Sequence, residues 1–310
     1  MAKRVLTVGY AEMKLYLPIE ALDGESNTLR GVDAASYAPS GRGGNAAVCF
    51  AQNGLESVLL SAIGRDPHGE TLYDFYKEKG VSLSSLRVLR GKSTALSVSV
   101  RDRLGREKAV LYEGASSALC AQDLDKAFNL CPDALYMTME LSEEILLFGA
   151  DYAYRHGIPV FLDGAGLKRD FPALRLAPVT LFSPNEEEAE LLSGISPMGT
   201  EAAIAACVEI SKRIKADYIV LKLGERGCFV YHGRRFEMIP PYTVHHRHYD
   251  AVGDAFTASL AAHYIKTGNM AASARFATAA SALTLMKDGD GFSIPSEREV
   301  LQFIENQETQ

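Results

Sequence analysis

Short apolar runs alternate with amphipathic stretches along most of the 310-residue chain. Val5 to Gly9 is rich in β-branched residues and closed by glycine, which predicts a buried strand. Lys14 to Leu17 and Val32 to Ala38 predict weaker extended segments around a turn at Asp23-Gly24-Glu25-Ser26-Asn27. Ala46 to Gln52 predicts a helix ended by Asn53-Gly54. Ser57 to Ile63 predicts a strand, and His68 to Lys79 an amphipathic helix stopped by Gly80. Thr94 to Arg101 alternates, Asp102-Arg103-Leu104-Gly105 reads as a hairpin turn, and Lys108 to Tyr112 returns. The two extended pairs predict a small sheet apart from the main one.

Beyond residue 133 the alternation becomes regular. Strands are predicted at Ala134 to Thr138, Pro159 to Leu162, Val179 to Phe182, Tyr218 to Lys222 and Cys228 to Tyr231. Helices are predicted at Glu143 to Arg155, Glu186 to Leu192, Glu201 to Lys215, Ala255 to Ile265 and Met270 to Leu285, and the polar tail after Phe303 reads as frayed. This order predicts an α/β fold: a doubly wound, mostly parallel sheet covered by helices on both faces. In such sheets ligands sit at the carboxyl ends of the strands. Glu140, Asp163, Asn185 and Leu223-Gly224-Glu225-Arg226-Gly227 fall there. Taken singly, each also reads as a loop acid, a helix cap or a turn glycine.

Composition adds limits. With 47% hydrophobic and 23% charged residues the chain can bury a large core, as one α/β domain or one with an appendage. A net charge of −7 without any basic block argues against a nucleic-acid partner. The cluster His245-His246-Arg247-His248 is short, and neighbouring residues of an extended segment face opposite ways, so a solvated segment fits it better than a metal site. Five cysteines without metal-ligand spacing suit reduced thiols in a cytosolic protein. No apolar run approaches the ~20 residues needed to span a bilayer, so no membrane partner is expected.

Two stretches carry candidate chemistry. Ser40-Gly41-Arg42-Gly43-Gly44-Asn45-Ala46-Ala47 is a glycine-rich segment feeding a helix, which lets backbone approach a polar ligand. It lacks the Gly-Lys-Ser/Thr of a P-loop, and no strand leads straight into it as a dinucleotide fingerprint requires. His248-Tyr249-Asp250-Ala251-Val252-Gly253-Asp254 opens a long helix. Unpaired amides at a helix start favour an anion, and an aspartate beside them could take a proton from an alcohol. Asp254 could equally cap the helix.

In chain order, these segments resemble the ribokinase-like (PfkB-type) carbohydrate kinases. Residues 40–47 resemble that family's Gly-Gly-Lys-Gly-x-Asn-x-Ala signature. Ile63-Gly64-Arg65-Asp66-Pro67-His68-Gly69 and Gly114-Ala115-Ser116-Ser117-Ala118-Leu119 resemble two further segments. Asn185-Glu186-Glu187-Glu188 matches its Asn-x-x-Glu motif, Lys222 to Gly227 its nucleotide loop, and the stretch ending at Asp254 its Asp-Thr-x-Gly-Ala-Gly-Asp signature.

The resemblance implies one ribokinase-like kinase domain over 1–310, with a small antiparallel β lid from about 12–38 and 93–112 that also serves as a homodimer interface. It implies transfer of the ATP γ-phosphoryl group to a hydroxyl of a sugar or sugar-like molecule. Asp254 would be the general base and the amides of Ala251, Val252 and Gly253 the anion hole. Gly41, Arg42, Asn45 and Glu140 would line the sugar site. Asn185, Lys222, Gly224 and Gly227 would border the nucleotide, and Glu188 would order Mg²⁺.

Three departures from the family pattern bear on this reading. Ala251 and Val252 replace a glycine and an alanine; if the hole needs positive φ at Ala251, the strain is about 1 kcal/mol or more. His248 replaces an aspartate that helps build a monovalent-cation site in relatives, which argues against potassium activation. Lys14 stands where relatives carry a sugar-binding aspartate. Either Glu12 substitutes for it, or the acceptor carries an anionic group that pairs with Lys14 and Arg42. The alternative function is a catalytically weak kinase-fold protein that binds sugar or nucleotide as a sensor or partner.

Overall fold

The structure, a computed structural model, describes residues 2–23, 28–104, 106–245, 251–287 and 294–308. The glycine-bearing part of the first predicted turn, Gly105 at the tip of the predicted hairpin, and His246, Arg247 and His248 lie outside the described residues.

The chain begins β1 (Arg4–Val8), β2 (Glu12–Pro18), β3 (Ser36–Ser40), α1 (Arg42–Gln52), β4 (Glu56–Leu60), β5 (Ala62–Gly64) and α2 (Pro67–Glu78). It continues β6 (Arg87–Leu89), β7 (Ala95–Arg101), β8 (Glu107–Tyr112), α3 (Ala121–Phe128), β9 (Ala134–Thr138), α4 (Glu143–Arg155), β10 (Val160–Asp163), β11 (Val179–Ser183), α5 (Glu186–Ser193) and α6 (Thr200–Arg213). Then follow β12 (Ala216–Lys222), β13 (Cys228–His232), β14 (Arg235–Ile239), α7 (Val252–Thr267), α8 (Met270–Met286) and α9 (Glu297–Glu308).

Eight strands form the main sheet in the order β14-β13-β12-β11-β10-β9-β1-β4. The pairs from β4 through β12 are parallel, and β13 and β14 are antiparallel. Residues of each central strand alternate between two cores, as the pleat requires. Leu6, Val8, Leu135, Met137, Val160, Leu162, Ile219 and Leu221 belong to one cluster, which α4 and α6 cover. Val5, Tyr136, Phe161, Leu181 and Val220 belong to the other, beneath α1, α7 and α8. Burial on both faces is why these strands read as continuous apolar runs.

The two extended pairs unite in one four-stranded sheet, β3-β2-β7-β8. β2–β3 and β7–β8 are antiparallel, while β2–β7 is parallel. Tyr37, Leu15, Val98 and Val110 lie in register across it and make one apolar row. Glu12, Lys14 and Ser97 take the opposite face, because side chains alternate along a strand.

Three local readings change. The glycine-rich segment is not a loop beyond Gly41: Arg42, Gly43 and Gly44 are helical, and of its glycines only Gly41, with φ 98°, stands outside as the cap of α1. The single strand expected over 57–63 divides at Ser61, whose carbonyl accepts from Arg87 N at 2.9 Å. The tail is ordered as α9, because Val300, Phe303 and Ile304 pack with Phe276, Ala279 and Ala280 of α8. All five cysteines are free thiols. Among the described residues no helix is long and apolar enough to cross a membrane.

Candidate active site

The site is built where β1, β9, β10 and β12 end and α1 and α7 begin. Gly41 lies against Tyr10 and Glu12: a Cβ on it would come within 2.5 Å of the Tyr10 carbonyl oxygen. A Cβ on Gly43 would come within 2.4 Å of the Gly9 carbonyl carbon. These contacts bring the start of α1 onto the end of β1 and fix Arg42 and Asn45 in place.

Asn45 Nδ2 donates to Asp254 Oδ2 at 2.8 Å, so the first and last signatures meet across 209 residues. Arg42 Nη1 donates to Glu140 Oε2 at 2.7 Å. The other Glu140 oxygen accepts from Tyr10 N at 2.9 Å and from the Thr138 hydroxyl at 3.0 Å. Glu140 is thereby held rigid two residues past β9. Glu12 approaches from the small sheet and accepts from Ser97 Oγ at 3.0 Å. Burial first, and then the Glu140 charge, pushes its carboxyl up to about 7; the Ser97 hydrogen bond and Arg42 oppose the rise. Lys14, two residues on, lies 3.8 Å from Glu107 Oε1 in the small sheet.

Asp254 is not the cap of α7. Ala251 holds that position, in the left-handed region at φ 56° and ψ 8°. Asp254 sits within the first turn, and its carboxylate is committed to Asn45. Alanine offers no side chain to cap the turn, and Val252 and Gly253 line the cavity, where amides at a helix start favour an anion. Burial pushes the Asp254 carboxyl above the ordinary aspartate value. Arg42 and the Asn45 hydrogen bond oppose this, while Asp163 and Glu140 add to it.

Ala251 does take a positive φ, and it does so with a Cβ. Ala251→Gly is expected to stabilise the protein by about 0.5–1 kcal/mol, the left-handed penalty less the extra chain entropy of glycine. The midpoint of denaturant unfolding measures this, and a lower midpoint would show that the alanine is unstrained.

Asn185 and Glu188 cap α5 reciprocally: Glu188 N donates to Asn185 Oδ1, and Asn185 N donates to Glu188 Oε2, each at 2.8 Å. The Asn-x-x-Glu spacing is thus a capping box as well as a strand-end motif. Burial raises the Glu188 carboxyl above its usual value, Lys222 opposes, and Asp163 adds to the rise. Lys222, at the end of β12, donates to Asp163 Oδ1 at 2.7 Å. Gly224 and Gly227 bend the following loop at φ 55° and 84°. A Cβ on Gly227 would come within 2.1 Å of the Ile239 carbonyl oxygen, which holds this loop against β14.

A cavity of about 940 Å³ joins these parts. Arg42, Val252, Gly253 and Asp254 line it beside Asn185, Glu188, Lys222, Gly224 and Gly227. Away from Asp254 its walls are Tyr242, Thr243, Val244, Thr278, Ala282 and Leu285. Gly41, Asn45, Glu140, Glu12 and Lys14 are not among its lining residues. They lie on the small-sheet side of Asp254, and Arg42 stands between the two regions.

The family description "pfkB family carbohydrate kinase" matches residues 2–297. The chain belongs to the PfkB family of carbohydrate kinases. It is 26% identical to a ribokinase of Haemophilus influenzae over 309 residues, covering 99% of this chain and 100% of that one. It is 28% identical to a pseudouridine kinase of Escherichia coli over 280 residues, 88% of each chain. The structure of Arabidopsis thaliana ribokinase complexed with ribose and ATP aligns with a TM-score of 0.86 at 24% identity, over 98% of this chain and 99% of that one. That likeness establishes the ribokinase-like fold.

Within this kinase, sequence reasoning placed Asp163 only as a strand-end acid. Its contact with Lys222 was not legible, because the two are 59 residues apart. Tyr136 and Thr257, which surround that pair, carried no signal beyond a strand and a helix. The lining residues Tyr242 and Thr243 follow Pro240-Pro241 and match none of the motifs.

Proposed function

We propose that the protein is an ATP-dependent kinase that phosphorylates a hydroxyl of an uncharged sugar or sugar-like molecule. The observation that carries this is Asp254. It is held by Asn45 at the start of α7, beside the amides of that helix's first turn, between the 940 Å³ cavity and the Glu12–Glu140 region. The acceptor hydroxyl would sit against Asp254, with Asn45, Glu140, Arg42 and the backbone around Gly41 orienting the rest of the molecule. Asp254 would take the hydroxyl proton as the oxygen attacks, and the raised affinity of its carboxyl for protons suits that task. The amides of Ala251, Val252 and Gly253 would receive the transferring phosphoryl group.

Of the two substitutes for the family's sugar-binding aspartate, the geometry favours Glu12. Arg42 is engaged by Glu140 and Lys14 lies beside Glu107, so each has a carboxylate neighbour of its own. Glu12 lies within electrostatic reach of Glu140 and Asp254 and accepts hydroxyl hydrogen bonds, as it does from Ser97.

The nucleotide would fill the cavity, with its phosphates toward Lys222, Gly224 and Gly253 and its base among Tyr242, Val244, Thr278 and Leu285. Magnesium fits this donor set. Among the described residues no three His, Cys, Asp or Glu side chains cluster to enclose a metal. A metal held chiefly by phosphate oxygens and water needs no such cage. Glu188, with one oxygen engaged in the cap of α5, is the carboxylate that would order its waters. When bound, magnesium offsets phosphate charge.

The small sheet would close over the acceptor as a lid. Its apolar row runs through Tyr37 and Val110, which are 57% and 70% exposed, and a second copy of the lid would cover it.

ADP release in the presence of Mg²⁺-ATP, measured across a panel of sugars and nucleosides, tests the reading. An uncharged acceptor is expected to be turned over, and phosphorylated or carboxylated sugars are not. Thermal shifts with the same ligands but no ADP would favour the catalytically weak binding protein instead.

A further inference from the structure

Beneath the cavity floor, β9, β10, β12 and α7 converge on a charged pair. Asp163 ends β10 and is fully buried; Lys222 ends β12 with 12% of its side chain exposed. Asp163 Oδ1 accepts from Lys222 Nζ at 2.7 Å and from Ala165 N at 3.0 Å, and Oδ2 accepts from the Tyr136 hydroxyl at 3.2 Å. The Lys222 ammonium also donates to Thr257 Oγ1 at 3.3 Å. The Thr257 hydroxyl in turn donates to the Gly253 carbonyl at 3.3 Å. One chain of polar contacts therefore runs from the strand ends into the first turn of α7.

The ammonium has two other carboxylates within electrostatic reach, Glu188 and Asp254, and both line the cavity. A lysine has a long, flexible stem and a compact charge, so it moves to whichever acceptor is unopposed. Burial works against its charge, but Asp163 and Glu188 outweigh that and hold its pKa above the usual lysine value. It stays an ammonium, and what remains to be decided is where that ammonium points.

We propose that Asp163 is a positioning residue: it anchors the Lys222 ammonium at the cavity floor, where it meets the nucleotide phosphates, and keeps it off the carboxylates of Asp254 and Glu188. This rests on the kinase reading. Tyr136 and the Ala165 amide fix the orientation of Asp163, so the pair is preset before nucleotide enters. Thr257 relays the lysine position to the Gly253 carbonyl in the turn that presents the anion hole.

Calorimetric ATP affinity and thermal midpoint, measured for the wild type, Asp163→Asn, Lys222→Met and the double variant, test this. Asp163→Asn and Lys222→Met are each expected to weaken ATP binding roughly tenfold, and the double variant no further than Lys222→Met. A merely structural Asp163 would lower the thermal midpoint and leave ATP affinity unchanged, which overturns the proposal. Additive losses in the double variant overturn it too, because Asp163 would then act by a route other than Lys222. Should Asp163→Asn fail to fold for want of a counter-charge, the double variant strands no charge and is compared with Lys222→Met alone. Equal ATP affinity supports the proposal, and weaker affinity in the double variant rejects it. If the wild type binds no ATP at millimolar concentration, the kinase reading fails and the proposal with it. If the wild type binds and Asp163→Asn matches it, only the proposal fails.

Discussion

Replacing Asp254 with asparagine is expected to lower the rate of phosphoryl transfer by about three orders of magnitude, within the range found for removal of a general base. Asparagine keeps the shape of the side chain and a carbonyl oxygen that still accepts from Asn45 Nδ2, so α1 and α7 stay joined. It cannot take a proton. Stability should not fall. The Asp254 carboxyl is raised above its unfolded value by burial, so its ionisation above that folded value costs stability, and a neutral amide removes that cost. The sign also fixes the pH dependence. Wild-type turnover should decline as pH falls through the raised Asp254 value, and the residual turnover of Asp254→Asn should show no such limb. Turnover number and thermal midpoint, measured together from pH 5 to 8, check both halves. Wild-type turnover in the variant would remove Asp254 from the role of base.

Gly43→Ala is expected to destabilise the protein by about 1–3 kcal/mol, the usual cost of overpacking a filled interior. In an ordinary helix the same change stabilises by about 0.5–1 kcal/mol, so even the sign is diagnostic. The new Cβ would meet the Gly9 carbonyl carbon at 2.4 Å and its Cα at 2.5 Å. These are backbone atoms of the residue that follows β1 and cannot swing aside, so α1 must lift. Arg42 and Asn45 ride on that helix, and their bonds to Glu140 and Asp254 stretch with it. Acceptor KM should rise together with the loss in denaturant midpoint. A stable variant with unchanged KM would mean that α1 and β1 have more room than the structure gives them.

The outline of the fold could be read from local pattern because its central strands are buried on both faces and helices such as α2 and α4 on one. Five predicted strands beyond residue 133 appear within one or two residues of their expected bounds. Readings failed where a long-range contact overrode local preference. Gly43 and Gly44 have poor helix propensity, which suggested a loop. They are helical because only glycine fits there: a Cβ on Gly44 would fall 2.0 Å from the Tyr76 hydroxyl, and Gly43 abuts Gly9. α9 was missed although Val300, Phe303 and Ile304 carry the i, i+3, i+4 spacing of an amphipathic helix; the polar residues after them masked it. α3 was missed as well, because it is short and depends on the Cys120–Asp123 capping box.

By itself the sequence determined which residue types stand at the strand ends and helix starts: Asn45, Glu140, Asn185, Glu188, Lys222, Gly253 and Asp254. The order of segments around them also determined the family. Chain order and side-chain chemistry are local properties, so they survive in one dimension. The tertiary structure alone decided how those charges pair. It set Asn45 on Asp254, Arg42 on Glu140, Lys14 beside Glu107 and Lys222 on Asp163. It also put Ala251 into the left-handed region at the cap of α7. Pairing depends on distance and burial in three dimensions, and Coulomb interactions fall with separation in space rather than along the chain. That is why Lys14 and Arg42, which as a sequence could have held an anionic acceptor, lie beside carboxylates of the protein's own.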